Sequence, residues 1–234
     1  MCGRYALSSS VELLVELFAL ARTVSFDPRY NLAPTDVAPV VRTTDDGRAL
    51  DLFRWGLIPF WAKDPSIGSR MINARSETAR EKPAFRDAFA RHRCIVPADA
   101  FYEWKKLPDG KQPYCIRRAD NTPMAFAGLW SSWRPAEDAE RIRTFTILTT
   151  RPNEMVASLH DRMPVILEPE SFASWLDADA GADALVDLLD PAADGVLEMY
   201  PVSRRVNSVR NDDPACMTPV EVPHAGGEQG SLFS

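Results

Sequence analysis

The stretch that decides the fold is CIVPADAFYEWKKLPDGKQPYCIRRADNTPMAFAGLW, residues 94–130. It holds three strand-length runs rich in aromatic or β-branched residues, CIVPADAFYEWKK, PYCIRR and MAFAGLW, and the turn sequences LPDGKQ and ADNTP separate them. A further run, TFTILTT, follows at residues 144–150. Strand-length runs joined by short turns predict that antiparallel strands dominate the middle of the chain.

The flanking regions extend this pattern. Residues 31–60 alternate turn residues with short β-like runs, as expected of further hairpins. Ser9 followed by Glu12 has the spacing of a capping box and predicts a helix of about three turns through VELLVELFALA. A second helix is predicted to start near Pro83 and to run through AFRDAFARH, because proline is well tolerated in the first helical turn.

The C-terminal part contains weaker signals. ESFASWL and ADALVDLL predict short surface helices, and residues 223–234 predict a loose tail. No internal repeat or low-complexity linker divides the chain. The sequence therefore predicts one compact α+β domain over residues 1–222, with mainly antiparallel, barrel-like sheets and a few peripheral helices.

Composition favours a globular protein. The chain has 234 residues, of which 45% are hydrophobic, and this suffices for a normal core. No apolar run reaches the roughly 18 residues that a membrane span needs, and the N-terminus lacks the pattern of a secretory signal. We expect a soluble, cytoplasmic protein with no membrane partner.

Charge is unevenly distributed along the chain. The net charge is −6, but residues 1–164 hold 24 Lys and Arg against 20 Asp and Glu, whereas residues 165–234 hold 3 against 13. The acidic part centres on LDADAGADALVDLLDPAADG and is typical of a solvated helical face. A local basic groove in the first two-thirds of the chain is compatible with this distribution.

The cysteines do not predict a metal site. Cys94 and Cys115 lie in β-like runs as small hydrophobic residues, and the four cysteines and three histidines show no ligand spacing. Cys2 differs because it follows the initiator methionine. Removal of Met1 would leave a free amine and a thiol on adjacent carbons.

Polar residues occupy unusual places in three further segments. Asn73 and Arg75 follow two apolar residues in INARSET, and Glu103 lies between aromatic residues in AFYEWKK. His160 and Arg162 enter a predicted strand in SLHDRMPVIL. A thiol-amine nucleophile, a carboxylic acid among apolar residues, a histidine and an amide donor are the groups that attack on a carbonyl requires.

Each of these residues also has a purely structural interpretation. An Asn before a helical stretch is most often a cap or turn residue, and a Glu between aromatics on a strand could face solvent. A lone His is by default a structural residue. Trp55 and Trp61, which bracket a Gly and a Pro in FRWGLIPFWAKD, fit the core or its rim as well as a base-stacking role, and Pro34 makes a rigid turn in YNLAPT.

Seven motifs occur in a fixed order and resemble one protein family. They are MCGRY, YNLAPT, FRWGLIPFWAKD, INARSET, FYEWKK, SLHDRMP and VSRRVNSVRND. In this order, with Cys2 in second position, they resemble the SRAP (SOS-response-associated peptidase) proteins over roughly residues 2–220. The resemblance implies a single α+β domain with a basic groove for single-stranded DNA, and covalent capture of the aldehyde of an abasic site. No cofactor is implied, and lyase and autoproteolytic activities are compatible with it.

The resemblance also implies roles for individual residues. Cys2 corresponds to the nucleophile, Asn73 to the residue that positions it, and Glu103 and His160 to acid/base groups. The residues that correspond to DNA-binding positions are Arg4, Pro34, Trp61, Arg75, Thr149 and Arg162. Where the family can show two adjacent tryptophans, Trp61 is followed by Ala62, so we expect one stacking surface to be missing.

Two other functions compete with the capture of an abasic site. In an N-terminal-nucleophile hydrolase or amidotransferase, the Cys2 thiol would attack an amide while the α-amine acts as base. In a non-catalytic module for single-stranded DNA, Arg and Trp residues would suffice and Cys2 would be incidental. In each case the expected form is a monomer, associated with the nucleoid when it is bound to DNA.

Overall fold

The structure, a computed structural model, describes residues 2–108 and 110–221. The predicted tail at 223–234, and with it the predicted domain boundary at residue 222, lie outside the described residues. Fourteen strands lie within the described part: β1 Tyr5–Leu7, β2 Leu20–Arg22, β3 Arg29–Leu32, β4 Val37–Thr44, β5 Gly47–Trp55, β6 Asn73–Arg75, β7 Arg93–Ala98, β8 Ala100–Leu107, β9 Gly110–Arg118, β10 Met124–Trp133, β11 Ile142–Thr150, β12 Met163–Pro164, β13 Ile166–Leu167 and β14 Leu197–Pro201.

Helices in the same part of the chain are short. The α-helices are α1 Val11–Phe18, α2 Ser76–Ala79, α3 Arg86–Arg91, α4 Glu154–Ala157 and α5 Phe172–Leu176. Short 3₁₀ helices cover Pro65–Arg70, Pro169–Ser171, Ala182–Leu189, Arg204–Asn207 and Pro214–Cys216. Among the residues described here, no helix is long and apolar enough to cross a membrane.

The first sheet has five antiparallel strands in the order β14-β9-β8-β1-β3. Strand β1 is therefore interior to the sheet although it lies at the start of the chain. Tyr5 pairs with Phe101 on one side and with Leu32 on the other. The residues that precede Tyr5 are thereby held against the sheet.

The second sheet closes on itself. Its central strands follow the order β11-β10-β7-β4-β5, and β5 returns to pair in parallel with β11 at Trp55 and Phe145. This last pairing makes a five-stranded barrel, which removes two sheet edges. The prediction of a single α+β domain with mainly antiparallel, barrel-like sheets is confirmed.

Aromatic side chains fill the space between the two sheets. The Tyr5 ring lies edge-on to Trp55, with centroids 5.1 Å apart, and Phe126 lies 6.3 Å from Tyr5. Trp55 is fully buried, and its indole Nε1–H donates to the carbonyl oxygen of Ile72 at 2.9 Å. Of the two interpretations of Trp55, the structural one is correct.

Gly128 permits a close approach of three barrel strands. A Cβ on this residue would lie 3.0 Å from the Cys94 sulfur and 3.2 Å from the Thr146 carbonyl oxygen. These atoms belong to β7 and β11, the neighbours of β10 on either side. A larger residue at this position would force the strands apart.

The first helix differs from its prediction. Helix α1 ends at Phe18, so it has about two turns rather than three, and Ser10 is its N-cap, accepting from the N–H of Leu13 at 3.3 Å. The prediction of Ser9 as the cap is wrong because the Ser9 hydroxyl donates to Asp99 instead. Residues Leu20–Arg22 leave the helix to pair with β5.

The other predicted helices lie close to their expected positions. Helix α3 starts at Arg86, three residues after the predicted start near Pro83. ESFASWL contains α5, and ADALVDLL forms the 3₁₀ turns at Ala182–Leu189. The aspartates of this acidic region are exposed, and Asp183 pairs with Arg80 at 3.0 Å. The region is the solvated face that its composition predicts.

We expect Asp99 to be important for stability, because its carboxylate fixes the turn between β1 and α1. Oδ2 accepts from the backbone N–H groups of Ser8 and Ser9 at 2.5 and 2.8 Å, and Oδ1 accepts from the Ser9 hydroxyl at 2.6 Å. Asp99→Ala should lower the free energy of unfolding by about 1–3 kcal/mol in urea denaturation. The exposed Asp179→Ala serves as control, and equal stability of the two variants would contradict the assignment.

Candidate active site

Cys2 is held in place through its backbone. The Asn73 side chain on β6 donates from Nδ2 to the Cys2 carbonyl oxygen at 2.7 Å. The carbonyl oxygen of Arg4 accepts from the N–H of Tyr102 at 3.0 Å and lies 3.9 Å from the Cys2 sulfur. Asn73 is therefore not a helix cap: Arg75 occupies the N-cap position of α2.

The Cys2 thiol is fully buried. Burial raises its pKa, and the nearby Glu103 carboxylate raises it further. The sulfur is consequently a neutral thiol at physiological pH rather than a thiolate.

Glu103 is also buried, although it lies on a strand near the surface. It pairs with Tyr114 across the β8–β9 hairpin, and only 4% of the residue is exposed. The interpretation that it faces solvent is therefore wrong. Loss of hydration raises the pKa of Glu103 to about 7, so near neutral pH this carboxyl group is present in both protonation states.

His160 lies in the turn between α4 and β12. Its Nδ1 accepts from the N–H of Arg162 at 3.0 Å and lies 2.8 Å from the Asp161 carboxylate. Nδ1 cannot accept from one group and donate to the other at once. Partial burial lowers the pKa of His160, which favours the neutral ring. The hydrogen bond from Arg162 assigns Nδ1 as the acceptor, which places the proton on Nε2.

Glu103 and His160 line one groove of about 840 Å³ together with Arg4. Its other lining residues are Trp104, Lys105, Lys106, Lys111, Ser158, Leu159, Asp161 and Asn207. Four of the lining side chains are basic and two are acidic. The three lysines lie on either side of the β8–β9 turn, and sequence reasoning missed them although they flank the turn that follows Glu103.

Arg4 is fixed in this groove by buried polar contacts. Its Nη1 donates to the Asn31 side chain at 2.7 Å and to the Val206 carbonyl oxygen at 2.9 Å, and its guanidinium lies 5.9 Å from the Trp104 ring. The Trp104 indole donates to Asn207 at 2.7 Å. The motifs YNLAPT and VSRRVNSVRND therefore both contact Arg4. Because they are far apart in sequence, the sequence alone does not predict this contact.

The other two arginines of the predicted set have different environments. Arg75 is exposed at the end of β6. Arg162 is mostly buried, and its guanidinium donates to both carboxylate oxygens of Glu77 and to the Thr149 carbonyl oxygen. Thr149 is buried, with its hydroxyl 3.5 Å from the Ala74 carbonyl oxygen.

Trp61 and Pro34 are not among the residues that line the groove with Glu103. Trp61 is 49% exposed and lines a second groove of about 540 Å³ with Phe60, which is 62% exposed. The sequence analysis did not identify Phe60. It precedes Trp61 in sequence, whereas Ala62 follows it, and it supplies a second exposed aromatic ring. Pro34 lies in a turn that is closed by a hydrogen bond from the Asp36 N–H to the Ala33 carbonyl oxygen at 3.1 Å.

The four cysteines, Cys2, Cys94, Cys115 and Cys216, are all buried thiols with no disulfide. Within residues 2–108 and 110–221, no group of three or more His, Cys, Asp or Glu side chains is arranged to hold a metal ion.

Comparison with known proteins places this geometry in a family. The sequence model described as SOS response associated peptidase (SRAP) matches residues 1–209. Abasic site processing protein YoqW of Bacillus subtilis is 43% identical over 219 residues, which cover 92% of this chain and 97% of that protein. Abasic site processing protein YedK of Escherichia coli is 33% identical over 94% of this chain and all of that protein.

Solved structures agree with the sequence comparison. An X-ray structure of a protein from Bacteroides thetaiotaomicron has a TM-score of 0.85 and 26% identity, and the match covers 94% of this chain and all of the other. The family model covers residues 1–209, a range that includes Cys2, Asn73, Glu103 and His160. The match to YoqW likewise spans most of the chain. The chain therefore belongs to the SRAP family.

Proposed function

We propose that this protein processes abasic sites in DNA and captures the aldehyde of the ring-opened sugar in single-stranded DNA through Cys2. Relatives over most of the chain carry the name abasic site processing protein. The observation that carries the mechanism is the position of Cys2, which is bonded to Asn73 and lies near Glu103. Glu103 in turn lines a groove with four basic side chains.

The reaction begins with the amine of Cys2 after Met1 has been removed. An α-amino group has a reference pKa near 8, so about a tenth of it is free base at pH 7. Its nitrogen attacks the aldehyde carbon to form a carbinolamine, and loss of water gives a Schiff base. The thiol then adds to the C=N bond: a C–S bond forms, the sulfur proton moves to nitrogen, and a thiazolidine ring closes. The short distance between the two groups makes this closure fast.

Glu103 and His160 supply the proton transfers. A carboxyl group with a pKa near 7 can donate a proton to the departing water oxygen and recover it afterwards. The neutral His160 ring, with its proton on Nε2, is suited to a second transfer in the same groove. Asn73 holds the Cys2 carbonyl group and so orients the amine.

The protonated state of Cys2 favours this order of events over the hydrolase alternative. A cysteine hydrolase attacks an amide with its thiolate, which needs a lowered pKa. Here burial and Glu103 raise the pKa of the thiol. A neutral thiol that adds after the Schiff base has formed fits these surroundings better.

DNA binding is assigned to the basic groove and to the separate groove that Phe60 and Trp61 line. Arg4, Arg75 and the groove lysines supply positive charge for phosphates, and binding should be dependent on salt and nearly independent of sequence. Trp61 and Phe60 offer exposed rings for base stacking, at about 1–3 kcal/mol per base. Pro34, Thr149 and Arg162 remain proposed DNA-binding positions because they match family motifs.

Cys2 variants test the chemistry directly. With trimmed protein and an oligonucleotide bearing one abasic site, the wild type should form an adduct that survives denaturing electrophoresis without a reductant. Cys2→Ser should form only a Schiff base that borohydride traps, and Cys2→Ala should lose the stable adduct. Cys216→Ala, another buried thiol, is the matched control. Full cross-linking by Cys2→Ala would make another residue the nucleophile, and amide turnover without an adduct would favour the hydrolase.

Glu103→Gln tests the acid/base role and has a readout that is independent of DNA. The folded pKa of Glu103 lies near 7, above the reference value of 4.5, so the native state holds the proton more tightly. This contribution to stability is complete below about pH 4.5 and is lost as pH rises through about 7. Glu103→Gln should therefore raise Tm relative to wild type more at pH 8 than at pH 5.

The same variant should slow adduct formation on the order of 10²-fold, as for loss of a general acid, while affinity for intact DNA stays within about twofold. The exposed Glu16→Gln is the control for both measurements. If the Tm difference is the same at both pH values, the carboxyl group does not have the raised pKa on which its role depends.

Arg75→Ala tests the phosphate contacts. The side chain is exposed at the end of β6, the strand that also holds Asn73, so its loss should weaken binding of intact single-stranded DNA. The slope of log K against log salt concentration should become shallower by about 0.7, the value for one phosphate contact on a single strand. Fluorescence anisotropy at four salt concentrations measures this, with the exposed Arg22→Ala on β2 as control. An unchanged slope removes Arg75 from the contact set.

A further inference from the structure

Arg162 is bound to the protein itself. Nη1 and Nη2 donate to the two carboxylate oxygens of Glu77 at 2.6 and 2.8 Å, a bidentate pair. Nη2 also donates to the Thr149 carbonyl oxygen at 2.5 Å. The Arg162 side chain is only 13% exposed, whereas that of Glu77 is 51% exposed. Bidentate Arg–carboxylate pairs are geometrically specific, so this contact fixes where Arg162 lies.

The pair connects two segments that are otherwise separated by a strand. Near the end of β11, Thr149 pairs with Arg75 of β6 and also with Pro164 of β12. A strand has two edges, so β6 and β12 flank β11 on opposite sides. Arg162 immediately precedes β12, and Glu77 lies two residues after the end of β6. Their ion pair therefore bridges the end of β11, with the Thr149 carbonyl group as a third anchor.

The backbone of Arg162 in turn holds His160. Its N–H donates to Nδ1 of the imidazole at 3.0 Å and so restrains the plane of the ring. The Asp161 carboxylate lies 2.8 Å from the same nitrogen and would accept a proton from it, so the Arg162 N–H is the contact that favours the proton on Nε2. Any movement of Arg162 would break this bond. The orientation of His160 therefore depends on the position of a residue that Glu77 holds.

Glu77 also belongs to the segment that positions Cys2. Asn73, which donates to the Cys2 carbonyl oxygen, lies four residues before Glu77, and α2 follows β6 without a loop. The short segment of β6 and α2 thus makes two contacts. Asn73 binds Cys2, and Glu77 binds Arg162, whose backbone holds His160.

We propose that Glu77 is a positioning residue, whose carboxylate clamps Arg162 and so sets the tautomer and orientation of His160 relative to Cys2. The part of this inference that concerns the reaction rests on the proposed function. Direct hydrogen bonding from Arg162 lowers the pKa of Glu77, which agrees with a carboxylate that stays ionised in the pair.

The test compares Glu77→Ala and Glu77→Gln with Glu81→Gln, an exposed glutamate four residues further along the chain. In DNA-free protein, ¹⁵N NMR of the imidazole should show wild-type His160 with its proton on Nε2. Glu77→Ala should give a mixture of both tautomers, Glu77→Gln a smaller change, and Glu81→Gln none. Unchanged Tm in Glu77→Gln shows that the fold is intact, so a wild-type spectrum of both Glu77 variants would overturn the proposal.

Kinetics supply the second readout. Glu77→Ala should slow adduct formation by about 10-fold or more at saturating abasic DNA, because a small displacement of a reacting group is costly, and should leave the affinity for intact DNA within about twofold. In an Arg162→Ala background, Glu77→Ala should cause no further slowing, since the two residues act as one unit. A different outcome would refute the proposal. If Glu77→Ala bound intact DNA more tightly, with a steeper salt slope and an unchanged rate of adduct formation, Glu77 would instead mask Arg162 as a phosphate ligand.

Failure of the proposed function gives a different result. If the wild type formed no adduct with abasic DNA, the capture mechanism would be wrong, whereas the tautomer of His160 in the DNA-free protein would still report on the clamp alone.

Discussion

The pairing of β1 with β8 is the interaction on which the rest of the site depends. It places the first residues of the chain beside a strand from the middle of the chain, and so brings Cys2 near Glu103. A chain terminus normally frays, because few contacts hold it. Here the neighbouring strands on both sides, together with the Asn73 bond, fix it in a single position. Cys2, the residue proposed as nucleophile, is thereby given the rigidity of a sheet interior.

The two sheets contribute different parts of the site. The five-stranded sheet carries Glu103 and the lysines of the β8–β9 hairpin, whereas Asn73 and His160 are positioned from either edge of β11 in the barrel. Tyr5, Trp55 and Phe126 pack between the sheets and set the distance across this junction. A change in that packing would alter the position of Glu103 relative to His160 without a change in either residue.

The sequence predicts local structure well and long-range contacts poorly. Strands β8 to β10 follow from their turns and aromatic residues, but the parallel pairing of β5 with β11 closes the barrel across about ninety residues and has no local signal. Ser9 and Ser10 are equally plausible caps until Asp99, distant in sequence, engages Ser9. The motifs identify Cys2, Asn73, Glu103 and His160 as candidates. They do not reveal that Arg162 is already paired with Glu77, or that Lys105 and Lys111 border the groove, because both depend on which strands become neighbours.

The complete burial of Cys2 has a consequence for the lifetime of the protein as a reagent. In the proposed mechanism the Cys2 thiol closes the thiazolidine ring, so oxidation of this thiol by a peroxide would prevent ring closure. Oxidants and disulfides react with accessible thiolates, and a neutral sulfur with no exposed surface is a poor target for both. The burial that keeps the Cys2 sulfur protonated thus also protects it from oxidation.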